Sequence, residues 1–201
     1  PEQIKKLWTM ERHRKLASYL GLEDNRIRFL DHHTCHAYYS YFSGPYTGNQ
    51  CAIVILDGWG DGRNQTVWIA NGHQIQLIAE SDQNDIGHIY KMATLYLGMR
   101  PDEHEFKVMG LAPYSKQKYV DQVFNKIRQI NKIDGMRIIH DERPQDLYSY
   151  LHGQWVDERF DNIAGGVQKL TEVLGCAVVK QTFEETGIRH FAMGGGVAMN
   201  V

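Results

Sequence analysis

Cysteine is scarce in this sequence: Cys35, Cys51 and Cys176 are scattered over 201 residues without CxxC spacing. That excludes a disulfide framework and a zinc ribbon, and it fits a reducing, cytoplasmic setting. Long hydrophobic runs are lacking as well. No stretch approaches the roughly 18 apolar residues of a bilayer span, and no signal-peptide pattern opens the chain, so no membrane partner is expected. Nor does either sign of charge dominate. Lys and Arg number 22 against 24 Asp and Glu, a formal net charge of -2, which offers no basic field for nucleic acid. An anionic ligand must therefore be held locally. Internal repeats and low-complexity tracts are missing, and the 42% hydrophobic content suits a globular core.

What is present reads as an α/β order. Residues 3–20 carry Ile4, Leu7, Trp8, Leu16 and Leu20 among charges, a surface helix that Gly21 ends. "RIRFLD" reads as a short strand, and residues 32–42 as a helix closed by the turn residues of "SGPYTGN". "QCAIVILDG" is continuously apolar, as expected for a strand buried on both faces, and runs into the glycine-rich "DGWGDG". Strands at 65–70 and 74–81 are joined by "NG", a strong hairpin signal, and "DIGHIYKMATLYLGM" is an amphipathic helix. Residues 101–160 show no clear period and are read as an insertion of loops and short helices. A long helix over 161–186 buries Val167, Leu170, Val173, Leu174, Ala177 and Val178, and leads into "IRHFAMGGGVAMN", a strand breaking at glycines into another helix.

Three strands, a helix and a glycine-broken strand follow the order of a ribonuclease-H-like half-domain with a mixed sheet flanked by helices. Asp57 closes the first of those strands and Gly194, Gly195 and Gly196 the last. In open α/β sheets ligands bind outside the carboxyl ends of strands, where both groups belong.

The densest chemistry lies in "HHTCHA". Residues four apart on a helix share a face, so His32 and His36 can direct two imidazoles at one divalent ion while His33 points elsewhere. A carboxylate at a neighbouring strand end, Asp57, is the natural third ligand. Two imidazoles and a carboxylate suit Fe(II), Zn or Mn, and spacing does not choose among them. The same HxxxH also fits a polar helix face or a satisfied core cluster, and the glutamate of a metalloprotease helix is absent.

Together "HHTCHA", "LDGWGDG", "EFKVMGLAPY" and "MGGGVAMN" resemble, in order and spacing, the motifs of the O-carbamoyltransferases of the nodulation, cephamycin and tobramycin type. The resemblance covers nearly the whole chain. It implies the transferase domain of the actin-like ATPase superfamily, similar to the tRNA threonylcarbamoyl transferase and the hydrogenase-maturation carbamoyltransferase. Residues 1–50 would then end a first lobe with the metal-binding helix, and 51–201 would form a second lobe with the insertion at 101–160. The chain begins at Pro1 and stops at Val201, so the domain is expected to be incomplete at both ends. The family's further aspartate ligand follows its glycine motif, beyond Val201.

The implied activity transfers a carbamoyl group from carbamoyl-adenylate, made from carbamoyl phosphate and ATP in a YrdC-like domain, to a hydroxyl of a small-molecule acceptor in biosynthesis. Carried over by position, His32, His36 and Asp57 would hold the metal, with Fe(II) first and Zn or Mn as alternatives. Gly58, Gly60 and Gly62 would let the backbone approach phosphate, Gly194, Gly195 and Gly196 would offer amides, and Asn200 would stand near the nucleoside. Lys107 and His33 are the catalytic candidates, Lys107 as a cation for phosphate or developing charge. Trp59 and Ser115 depart from glycines common in the family. Two other readings stand beside this one: a transferase acting on tRNA or a protein cysteine, and a metal- and nucleotide-binding scaffold without activity.

Overall fold

The computed structural model describes residues 2–200, with side chains described from Leu7 onward except at position 24. By its contacts the chain divides into two compact units, residues 1–31 and 32–201. In the first, α1 (Glu2–Leu20) stops at Gly21, whose φ of 63° lets the chain reverse, and Leu22 N–H returns to the Ala17 carbonyl at 2.9 Å. The strand expected at "RIRFLD" does not form. Asp24–Arg26 is a single 3-10 turn and 27–31 have no ladder partner among the described residues. A strand needs a neighbour for its N–H and C=O groups, and alternating Arg and apolar residues cannot supply one.

The second unit opens with α2 (His32–Phe42), at the bounds expected from sequence. Next come β1 (Cys51–Gly60), β2 (Arg63–Asn71) and β3 (Gln74–Ser81), an antiparallel meander with the NG turn where it was expected. β1 does not end at Asp57. It runs on to Gly60 through an irregular register between Leu56 and Gly60, and the turn is made by Asp61 and Gly62, both at positive φ. That is the primed two-residue turn that matches strand twist.

Then follow α3 (Ile86–Tyr96), α4 (Glu105–Leu111), α5 (Gln117–Ile127), the hairpin β4 (Asn131–Asp134) with β5 (Arg137–His140), α6 (Leu147–Trp155), α7 (Phe160–Thr186) and β6 (Phe191–Gly194). The segment 101–160 is thus more than loops and short helices. It holds a two-stranded sheet, and its Val108, Val123, Ile127, Ile138, Leu151 and Trp155 are buried in the main core. Apolar spacing in α5 is too short to stand out in a window of two turns, but Asp134-Gly135 carries the same turn chemistry as the NG that was recognised.

The four-stranded mixed sheet has the order β3-β2-β1-β6, with β6 parallel to β1. Alternation along β1 divides the core. Val54 and Leu56 face α3 and α5 to α7, while Ile53 and Ile55 face Ala37 and Tyr41 of α2. Each such fully buried aliphatic side chain contributes roughly 1.5–3 kcal/mol, so the strand's position is fixed from both sides. On α7, Val167, Leu170, Leu174 and Val178 are buried as expected, whereas Val173 falls on the exposed flank. No helix among the described residues is long and apolar enough to cross a membrane.

Candidate metal centre

Period two along β1 decides where Asp57 points. It follows Ile53 and Ile55 on the face that α2 covers, and so its carboxylate meets that helix. α2 turns His33, Ala37 and Tyr41 into the core, which leaves His32 and His36 on the adjoining stripe. The helix is anchored at both ends. Asp61, in the β1–β2 turn, accepts the His32 backbone N–H at 2.8 Å, and the Tyr41 hydroxyl donates to the Asn49 carbonyl at 2.8 Å. A carboxylate at the first turn also complements the helix dipole.

Three ligand atoms converge. His32 Nε2 lies 2.6 Å from Asp57 Oδ2 and 3.1 Å from His36 Nε2, and His36 Nε2 is 3.9 Å from the same oxygen. An imidazole nitrogen has one in-plane site, a proton or a lone pair, so His32 Nε2 cannot hydrogen-bond to both neighbours at once. A cation held between the three atoms would remove the conflict. One point lies about 2 Å from all three atoms, the bond length of imidazole and carboxylate ligands to a first-row divalent ion. The donor set fits such an ion, and His32, His36 and Asp57 form the one His/Cys/Asp/Glu cluster of that kind among the described residues.

Burial pushes the Asp57 carboxyl pKa up, but hydrogen bonds from Gly196 N–H and His32, the Gly58 amide and the charge of His32 outweigh it and leave it below the ordinary value. Oδ1 takes the Gly196 N–H at 2.8 Å, so the second oxygen is left for the histidines. Support of this kind from outside the ligand set orients a metal-binding carboxylate.

The structure places His33 away from this cluster. Its ring is fully buried, with Nε2 3.1 Å from the Arg63 carbonyl and Nδ1 3.2 Å from Thr66 Oγ1. The carbonyl only accepts, so Nε2 carries the proton and Nδ1 accepts from the Thr66 hydroxyl. Burial pushes its pKa down, a shift the Arg63 carbonyl partly offsets. With no face open to a substrate, the ring pins α2 to β2. Replacing His33 by Leu strips the donor from a partly buried carbonyl and the acceptor from the buried Thr66 hydroxyl, and is expected to cost about 1–3 kcal/mol. Urea unfolding checks this, and an unchanged midpoint would mean the pin carries no load.

The glycines divide by surroundings. A Cβ at Gly60 would lie 2.1 Å from the His32 ring, and one at Gly194 would lie 2.2 Å from Ser40 Oγ, so both make room for α2. Gly62 is in the hairpin turn. Gly195, at φ 92°, packs against the Leu56 carbonyl. Gly58, Gly196 and Asn200 line a cavity of about 500 Å³ that shares Asp57 with the metal trio and also takes in Trp59 and His88. Lys107 is not among the lining residues. It is exposed, its ammonium 5.8 Å from the Phe106 ring centroid, while Lys91 does line the cavity, 2.6 Å from Asp102. Sequence reasoning missed Asp61, Ser40 and Lys91. Only Asp61 carried a signal, as the first residue of a DG turn.

Residues 5–201 match the family model described as carbamoyltransferase N-terminus. Among curated relatives, the nodulation protein NolNO of Sinorhizobium fredii is 28% identical over 192 residues, covering 92% of this chain and 28% of the relative. The nodulation protein NolO of Bradyrhizobium diazoefficiens is 24% identical over 176 residues, covering 85% of the chain and 32% of its own length. An uncharacterised Synechocystis protein is 27% identical over 195 residues, covering 87% and 31%. The chain thus spans about a third of the length of the relatives it matches.

Proposed function

Since the chain belongs to the carbamoyltransferase N-terminus family, we propose that it holds the metal and the donor for transfer of a carbamoyl group from carbamoyl-adenylate to a hydroxyl of a small-molecule acceptor. The adenylate would be formed from carbamoyl phosphate and ATP by a YrdC-like domain. The observation that carries this reading is the convergence of His32, His36 and Asp57 at the wall of a cavity.

A divalent ion bound there would supply Lewis acidity for a carbamoyl or phosphate oxygen. The chain's own residues do the rest of the binding. Gly58 and Gly196 present bare backbone to the cavity beside the metal trio, where a phosphate-linked donor can approach closely. Trp59 and His88, rings 6.3 Å apart, form an aromatic wall, and Asn200 lies on the side assigned to the nucleoside. Asp57 stays ionised at neutral pH, and His33 orients the ligand helix. Lys107 retains a place in this reading only as an outer cation.

The sheet order β3-β2-β1-β6 supports an actin-like ATPase domain of the ribonuclease-H-like kind. The reading takes residues 1–50 as the end of one lobe and 51–201 as the other, with 101–160 as an addition that has joined the core.

Elemental analysis of protein purified without chelator tests the proposal. About one Fe, Zn or Mn per chain is expected in the wild type, and none in His32→Ala, His36→Ala or Asp57→Ala. If this chain is metal-free, the measurement is repeated on a longer protein that includes the aspartate expected after the glycine motif, and a longer protein that also stays metal-free under reducing, metal-supplemented conditions would remove the mechanism.

A further inference from the structure

Asp57 is held through a chain of contacts that reaches well outside the metal trio. Its Oδ1 accepts the N–H of Gly196, and the following turn, Val197–Met199, is closed by hydrogen bonds from Ala198 to Gly195, Met199 to Gly196 and Asn200 to Val197. The segment is therefore a short, internally braced lever whose far end is Asn200. That end is fastened. Asn200 Oδ1 accepts from Gln168 Nε2 at 2.6 Å, and Asn200 Nδ2 donates to Gln168 Oε1 at 2.9 Å and to the Tyr90 hydroxyl at 3.2 Å.

The directions of these bonds are fixed by their surroundings. Gln168 Nε2 also donates to Glu172 Oε1 at 3.0 Å, and an ionised carboxylate only accepts, so that side of the Gln168 amide must carry nitrogen. Oε1 is then the acceptor for both Asn200 and the Tyr90 hydroxyl, the latter at 2.7 Å. The phenol stays protonated throughout the neutral range, because burial pushes its pKa up to about 12. Tyr90 belongs to α3 and Gln168 to α7, two helices packed into the main core. The side-chain hydrogen bonds of both residues go to each other, to Asn200 and to Glu172.

We propose that Gln168, together with Tyr90, is a positioning residue for the metal-binding carboxylate: by clamping Asn200 it sets the Gly195–Val197 backbone, and Gly196 in turn orients Asp57. The inference rests on the reading of His32, His36 and Asp57 as the metal trio. It assigns the Asn200 side chain to the clamp, with its amide committed inside the protein.

Two readouts on the same protein separate this inference from the metal reading. Amide hydrogen exchange of metal-free protein, followed by NMR, reports the Gly196 N–H directly. Gln168→Leu is expected to speed its exchange at least tenfold while the core amide of Ile53 is unaffected, and Tyr90→Phe, which loses one bond and keeps the fold, is expected to give a smaller acceleration in the same place. Zn(II) titration against a fluorescent chelator is expected to show affinity reduced by roughly 10–100-fold in Gln168→Leu, the range for loss of a ligand's outer support. Wild-type exchange at Gly196 in both variants overturns the clamp. Faster exchange with unchanged Zn(II) affinity also overturns it, since the loop would then be loosened without consequence for Asp57. If the wild type itself binds no Zn(II), the metal reading fails, and the exchange data alone decide whether Gln168 holds the loop.

Discussion

Gly195→Ala is expected to abolish metal binding by the histidine and aspartate trio and to lower unfolding free energy by about 3 kcal/mol. Two costs combine at this residue. Its φ of 92° lies where an L side chain is strained, and an added Cβ would stand 2.3 Å from the Leu56 carbonyl oxygen and 2.8 Å from its carbon. Strain of this kind costs of order 1–3 kcal/mol, and overpacking a tight contact costs a similar amount. The clash is with backbone of the central strand, so no rotamer change relieves it. The loop must move, and Gly196 then loses Asp57. Gly58→Ala is the control, because a Cβ there meets nothing within 4 Å. Urea midpoints and a Zn(II) titration of both variants check the expectation. A Gly195→Ala protein with wild-type midpoint and affinity would show that the loop's path is not set by that contact.

The second large effect is expected from Asp85→Asn. Asp85 is 2% exposed at the start of α3. Arg143 Nε lies 3.0 Å from both its carboxylate oxygens, His140 Nε2 3.1 Å from Oδ2, and His88 Nδ1 3.7 Å from Oδ1. Burial pushes its pKa up, but His88, the Arg143 guanidinium and the charge of His140 together hold it below the ordinary carboxyl value. A carboxylate depressed in this way stabilises the fold at pH above about 4, its unfolded value, and loses that contribution as pH falls through the lower folded value. Removing one charge from a buried pair costs about 3 kcal/mol, the lower end of the usual range because Arg143 is partly exposed. Asp85→Asn should therefore be less stable at pH 7 and show a shallower decline between about pH 4 and pH 2 than the wild type. Parallel acid limbs in the two proteins would mean Asp85 is not the group being titrated.

Much of the candidate site was legible because its logic is local. Helical spacing put His32 and His36 on one face, and a strand buried on both sides announced itself as a continuous apolar run ending in Asp57. What sequence could not give was the face on which Asp57 emerges. The expectation that β1 stops there hid the alternation that carries Ile53 and Ile55 into Asp57. The glycines were read as approaches for phosphate, since composition shows that a side chain is missing but not what fills its space. At Gly60 and Gly194 the occupants are His32 and Ser40 of a helix that comes earlier in the chain. Residues 101–160 were opaque for a related reason. Their apolar positions are shared among short elements, each below the length at which a period can be read, and their common core exists only after folding. The "RIRFLD" strand failed in the opposite direction, a local preference with no neighbour to pair with.

The hydrogen bond from Gly196 to Asp57 joins residues 139 positions apart. During synthesis at about 5–20 residues per second, the amide that fixes Asp57 is added roughly 7–28 seconds after Asp57 itself. His32, His36 and Asp57 all leave the ribosome within that earlier interval. The three side chains are thus on the growing chain before the amide that orients Asp57, and their arrangement is complete only when β6 docks beside β1.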